Sequence, residues 1–282
     1  MDRKLFRTYL VELIGTFALV YVAAGMVCVN FMTTPQNLET RSATLGRDQP
    51  GLVGMALAQG LILAIMLAAT VPISGGYLNP AITIMLWVFN KLDSIKTSWF
   101  IGAQLVGGVL AALCLRYTFT IDVLDSARMG TPHLNPVVYL GPLQLGSSWT
   151  RAMLLAGTGI ELILTFFLVF AIFSVGTGAG RNRLAAWSAG AALTIGVLWG
   201  YSLTGAALNP ARWLGPALWE LAILQPSFGR GAMADVFVYI AGPILGALVG
   251  GLVCFKIMPQ AAEETTPPAP AAESTHHFKA KK

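Results

Sequence analysis

The chain has 282 residues, 55% hydrophobic and only 11% charged, with a formal net charge of +5. Soluble domains carry about 25% charged residues, so the composition excludes a soluble fold and points to a polytopic membrane protein of roughly six spans. The excess positive charge flanks apolar runs, where it sets topology, and calls for no nucleic-acid partner.

Apolar segments of membrane length run over 9–32, 51–71, 98–120, 154–176, 185–204 and 234–257. The first is longer than a signal-peptide core and has no Ala-x-Ala site behind it, so it reads as a span rather than a cleaved leader. Segments 33–50 and 121–150 are polar, with proline and glycine, and read as outer loops. The links around Lys91 and around Arg181-Asn182-Arg183 are short and basic and read as cytoplasmic. An even number of spans puts both termini on that side, and 11 of the 18 Lys and Arg then lie inside, in accord with the positive-inside rule. Two shorter apolar pieces, Leu78 to Phe89 and Leu208 to Leu218, cannot cross alone. A helix from Asn79 to Phe89 measures about 16 Å against a hydrocarbon core of ~30 Å, which predicts re-entrant half-helices.

Small residues recur along the spans, notably Gly107-Gly108, Gly196 with Gly200, and Gly242 with Gly246 and Gly250. Such spacings let helix backbones approach closely in lipid. Packing within one bundle is the favoured reading and dimerisation the alternative. Cys28, Cys114 and Cys254 lie in apolar stretches, without the spacing of a disulfide framework or a zinc site, and read as small hydrophobes. The tail, rich in Pro, Ala and Glu, is expected to be disordered, and its His276-His277 pair reads as no metal site.

The halves repeat. ELIGTF at 12–17 matches ELILTF at 161–166, and ISGGYLNPA at 73–81 matches LTGAALNPA at 203–211. The polar insertion at 33–50 accounts for the longer spacing in the first half. Each half holds three spans, an odd number, so the halves run in opposite directions and their broken helices meet near the midplane. Asn79 and Asn209 then act as N-caps, and Pro80 and Pro210 take the first helical position, where a missing N–H costs nothing. Ala81 and Ala211 complete each motif. Two half-helices entering from opposite faces bring their positive ends together. Each asparagine is expected to use its oxygen on its own helix and to aim its NH₂ donors into a lumen. His133-Leu134-Asn135-Pro136 resembles these motifs but lies in a polar loop, and reads as a turn or ordinary cap.

With SGGYLNPA and TGAALNPAR in matching places, the chain resembles the major intrinsic protein family, the aquaporins and glycerol facilitators, over about residues 5–257. The resemblance implies an all-α membrane protein with the aquaporin-like inverted repeat of six transmembrane helices plus two re-entrant half-helices. It also implies a homotetramer with one pore per subunit, set in membrane lipid. On this reading residues 1–257 form the transmembrane channel domain, in two inverted halves (about 5–120 and 150–257), and 258–282 a cytoplasmic tail. A plasma membrane is the expected location, or the inner membrane of a Gram-negative bacterium.

Arg212 follows the second motif directly, and a cation at this depth demands a reason. The resemblance makes it the constriction arginine; the alternative is a salt bridge within the bundle. Glu12 and Glu161 stand at equivalent places in spans one and four. They are expected to accept hydrogen bonds from the turns leading into the half-helices, as in the family; the alternative is a proton relay. Counted from the asparagines, the other family constriction positions fall on Gln59, Val197 and Ala206. Water-selective members carry phenylalanine, histidine, a small residue and arginine in that ring, and glycerol facilitators tryptophan, glycine, phenylalanine and arginine. This chain has neither set, and Gln59 also reads as a packing residue. Trp213 fits neither subclass, Ala217 and Tyr239 lean to water channels, and the long stretch Glu220 to Asp235 leans to glycerol channels.

The resulting expectation is a passive channel for water and small uncharged solutes such as glycerol, excluding ions and protons. Alternatives are a strictly water-selective aquaporin, an ion-coupled secondary transporter, or a non-conducting junction protein on the same scaffold. No nucleophile–base set, metal-ligand set or phosphate loop points to an enzyme or a cofactor.

Overall fold

The structure, a computed structural model, describes residues 3–33, 50–135, 151–175, 181–224 and 231–258. The tail at 259–282 and the loop segments 34–49 and 136–150 lie outside the described residues, together with the expectations that fell on them. Nine α-helices are found among the described residues, with no strand. They are α1 (Arg3–Thr33), α2 (Gly51–Thr70), α3 (Pro80–Val88), α4 (Ser94–Thr118), α5 (Ile121–Ser126), α6 (Arg151–Phe173), α7 (Arg181–Thr204), α8 (Pro210–Ile223) and α9 (Val236–Leu252). A π turn, Val253–Ile257, continues α9. Six of these segments are long and apolar enough to cross a membrane.

Local chemistry sets the helix ends. Asp93 caps α4 by accepting from the Lys96 N–H at 2.9 Å, and the two Asn-Pro steps start α3 and α8. The second half-helix is longer than the expected Leu208 to Leu218, reaching Ile223. The hydrophobic run stops at Leu218, but the backbone hydrogen bonds continue through the polar Glu220, whose partners lie on a neighbouring loop. A further difference lies in the segment expected as a polar loop from 121. It opens with α5 and a 3-10 turn, Arg128–Gly130, because Leu124 and Met129 bury against Val27, Cys28 and Met55.

The packing repeats across the halves. Helix α1 lies against α2 and α4, and α6 against α7 and α9 in the same pattern. The second spans of the two halves, α2 and α7, cross each other. At the crossing Gly60 and Gly190 face one another: a Cβ on Gly190 would stand 2.5 Å from the Gly60 carbonyl oxygen. Only glycine allows backbones that close. Gly242 and Gly246 likewise press on α6 of the same chain, so these spacings serve packing within the bundle. Each half-helix packs on the opposite half, α3 on α9 and α8 on α4.

Leu57, Leu61 and Ile65 form an exposed stripe on α2, Ile163 and Phe167 another on α6, and Ile195 and Trp199 a third on α7. Apolar faces this continuous suit hydrocarbon, not water. The protein is a multi-pass membrane protein.

Candidate functional site

The site forms where the tips of α3 and α8 meet. Asn79 has extended backbone (φ −152°, ψ 116°), and its Oδ1 accepts from the Ala81 N–H at 2.9 Å. Asn209 matches it (φ −150°, ψ 115°), accepting from the N–H groups of Ala211 at 2.9 Å and Arg212 at 3.4 Å. The residue before each asparagine is left-handed, Leu78 at φ 51° and Leu208 at φ 53°. That conformation is costly for leucine and turns each preceding carbonyl toward the other half. Asn79 Nδ2 donates to the Leu208 carbonyl and Asn209 Nδ2 to the Leu78 carbonyl, both at 2.9 Å. The carboxamide orientations follow, since an N–H needs the oxygen and a carbonyl needs the nitrogen. The expectation that each asparagine aims its NH₂ donors into a lumen is thus modified: each NH₂ donates across the junction to the other half.

Two carboxylates hold the strained turns. Glu12 Oε1 accepts from Ser74 Oγ at 2.6 Å and the Tyr77 N–H at 3.0 Å, and Oε2 from the Leu78 N–H at 2.7 Å and Gln104 Nε2 at 2.9 Å. Glu161 repeats this with Thr204 Oγ1 (2.7 Å) and the N–H groups of Ala207 (3.0 Å) and Leu208 (2.8 Å). Both side chains are fully buried. Buried backbone donors without partners cost about 1–3 kcal/mol each, so the carboxylates allow tight turns far from water.

Beside each turn the halves differ. In the first, Gln104 also donates to Thr83 Oγ1 at 2.9 Å. In the second, Tyr239 stacks on Trp213 at 5.5 Å, and its hydroxyl donates to the Thr204 carbonyl. Trp213 thus serves packing. Sequence reasoning missed Gln104, whose only signal is a polar residue inside an apolar span.

A narrow cavity runs through this junction. Its wall includes Gln59, Arg212, Asn79 and Asn209 as polar members, among apolar residues such as Leu63 and Leu193. A second cavity, sharing Leu67, Tyr77, Ile82 and Ile172 with the first, continues toward Phe173 and Ala185. Arg212 is buried, and its Nη1 donates to the Gly130 carbonyl at 2.9 Å, while its Nε has no partner. Gln59 is also buried, with its Nε2 unpartnered. Both nitrogens are thus buried donors left without a partner, on two residues of the same cavity wall. Val197 and Ala206 are buried in the apolar cluster with Leu193 and Leu208 and do not themselves line the cavity. Of the four expected constriction residues, the fold brings Gln59 and Arg212 to the cavity wall.

Fold and site define a transmembrane channel scaffold built as an inverted repeat around paired half-helices. The family model described as "Major intrinsic protein" matches residues 2–254, and the chain belongs to that family, whose members are passive channels and not enzymes. It is similar to "Probable aquaporin NIP4-2" of Arabidopsis thaliana, 30% identical over 243 residues, covering 86% of this chain and 71% of that one. It is also similar to "Aquaporin TIP4-4" of Zea mays, 32% identical over 254 residues, covering 89% and 86%. Among solved structures, the aquaglyceroporin from Plasmodium falciparum superposes with a TM-score of 0.68 at 24% identity, covering 90% of this chain and 98% of that one. That likeness establishes the fold.

Proposed function

We propose that the protein is a passive pore for water and small uncharged solutes such as glycerol, closed to ions and protons. The observation that carries this reading is the reciprocal Asn79–Asn209 junction in a continuous cavity wall that also holds Arg212. Two helix N-termini and a guanidinium make the midsection electropositive. Water or a hydroxyl accepts hydrogen bonds there, while a cation or proton carrier meets an unfavourable potential.

The carboxylate geometry weighs against a coupled transporter. Glu12 and Glu161 already accept four and three hydrogen bonds, most of them from the half-helix turns, and do not line the cavity. A relay residue must exchange protons with the path. Glycerol passage is favoured over strict water selectivity because the positions that the resemblance assigns to the ring carry no histidine, and of them Gln59 and Arg212 line the cavity.

We place the channel in the plasma membrane with both termini cytoplasmic, on the strength of the basic short links. The family resemblance supports a homotetramer. The apolar groove on α6 and α7, lined by Phe167, Ile195 and Trp199 among others, offers the neighbouring subunit a seat.

Water and glycerol permeability, measured side by side in the same proteoliposomes, test the reading. Both should exceed protein-free vesicles. Water flux without glycerol flux would reduce the proposal to the water-selective form.

A further inference from the structure

The Arg212 guanidinium donates to the carbonyl of Gly130, and that carbonyl sits in an unusual backbone. Arg128, Met129 and Gly130 are consecutive left-handed residues, at φ 48°, 57° and 69°. Left-handed backbone is disfavoured for residues with a Cβ and persists only where surroundings enforce it. Gly130 is pressed on α1, where a Cβ would meet the Ala24 backbone. Met129 is fully buried among Val27, Cys28 and Met55.

The charged side chains on either side of this turn converge on one carboxylate. Arg128 donates from Nε (2.9 Å) and Nη2 (2.7 Å) to Glu220 Oε1. His133 Nε2 lies 2.8 Å from Glu220 Oε2, and its Nδ1 lies 3.7 Å from Asp235 Oδ2. Beyond His133, Asn135 ties the segment to the end of α7 through the carbonyls of Ser202 (2.9 Å) and Leu203 (3.0 Å). Glu220 is buried on α8, the helix that carries Arg212 about 12 Å away at 1.5 Å per residue. The connections therefore close a ring: Arg212 to Gly130, along the loop to Arg128 and His133, across to Glu220, and back down α8.

We propose that Glu220 is a positioning residue for the permeation filter, acting through Arg128 and His133 to hold the Gly130 carbonyl where it fixes the Arg212 guanidinium. The inference rests on the reading of Arg212 as a filter residue. Charge-assisted bonds to both carboxylate oxygens give the loop one register relative to α8. Without them the left-handed turn relaxes, the carbonyl leaves Arg212, and the guanidinium swings in the lumen. Glu220 does not line the cavity itself, so its effect on selectivity passes through the loop.

The test compares water and erythritol permeability of wild type, Glu220→Gln, Arg128→Lys and Arg212→Val in proteoliposomes, normalised to folded protein. Glu220→Gln should raise the erythritol-to-water ratio by about threefold or more, the scale of one hydrogen bond's net contribution. The change should run in the same direction as for Arg212→Val, with water permeability within about twofold of wild type. Arg128→Lys, which keeps a cation opposite Glu220, should stay near the wild-type ratio. A merely structural role would lower the yield of folded protein and leave the ratio unmoved. A wild-type ratio in Glu220→Gln beside a raised one in Arg212→Val overturns the proposal and leaves the filter intact. A wild-type ratio in Arg212→Val removes the filter reading itself and the proposal with it. Should Glu220→Gln fail to fold, Arg128→Gln breaks the same clamp from its more exposed side and is judged by the same ratio.

Discussion

The carboxamides of Asn79 and Asn209 each donate to the carbonyl preceding the other, Leu208 and Leu78, at identical distances of 2.9 Å. Two residues 130 positions apart in sequence thus share a local two-fold relation. Each asparagine caps its own helix and tethers the other, so neither half-helix tip can withdraw without exposing buried donors and acceptors in both.

Replacing Asn209 with aspartate exchanges the NH₂ for an oxygen, facing the Leu78 carbonyl and adding negative charge between the helix tips. Asn209→Asp is expected to admit small cations that wild type rejects. Ion conductance of the reconstituted variant checks this, and a tight, non-conducting variant would show that the carboxamide does not set charge selectivity.

Glu12→Gln places an NH₂ where either Tyr77 and Ser74 or Leu78 and Gln104 now donate. Leaving buried donors unpaired costs about 1–3 kcal/mol each, so a drop in thermal midpoint of the purified protein is expected. Whatever folds should conduct independently of ion gradients. Gradient-dependent flux abolished by Glu12→Gln would instead make Glu12 part of a coupled cycle.

Mercurials act through a cysteine in the conduction path, and none lines the cavity: Cys28 and Cys254 are buried in apolar packing, and Cys114 is exposed away from it. Position 206 is alanine. Inhibition should be weak; strong block of water flux that a thiol reverses would place a cysteine in the path.

Glu220, outside the membrane-crossing helices, has a carboxyl that burial pushes up but that the contacts of His133 and Arg128 hold, on balance, below its ordinary 4.5. The flanking charged groups are Arg128, His133 and Asp235. A folded-state value below the unfolded one gives stability that is present above the unfolded value and is lost as pH falls through the folded one. The thermal advantage of wild type over Glu220→Gln should hold at neutral pH and shrink below about pH 4, the unperturbed glutamate range. An advantage that persists undiminished in acid would assign it to packing.

The half-helices, their caps and the two membrane carboxylates were legible because they recur: a short motif means little once and much when it returns in an inverted half. The Gly130–Arg212 bond was not legible, since a backbone carbonyl has no residue type and its loop has no counterpart in the first half. Glu220 entered the sequence reading only as the start of the long stretch to Asp235, and His133-Leu134-Asn135-Pro136 as a turn or ordinary cap. The structure puts His133 on Glu220 and Asn135 on the end of α7. Which of the expected constriction positions line the cavity was also hidden. Counting from Asn209 locates Val197 and Ala206, but whether Val197 faces the cavity depends on how α7 rotates against α2 at Gly60 and Gly190, and Ala206 lies in the turn after α7.

The most direct measurement is stopped-flow water permeability of proteoliposomes across a range of temperatures, with and without an imposed proton or sodium gradient. An open pore lined by the Asn79–Asn209 junction predicts fast water flux with a low activation energy, unchanged by either gradient. Flux that matches bare lipid, or that rises only when a gradient is present, would contradict it.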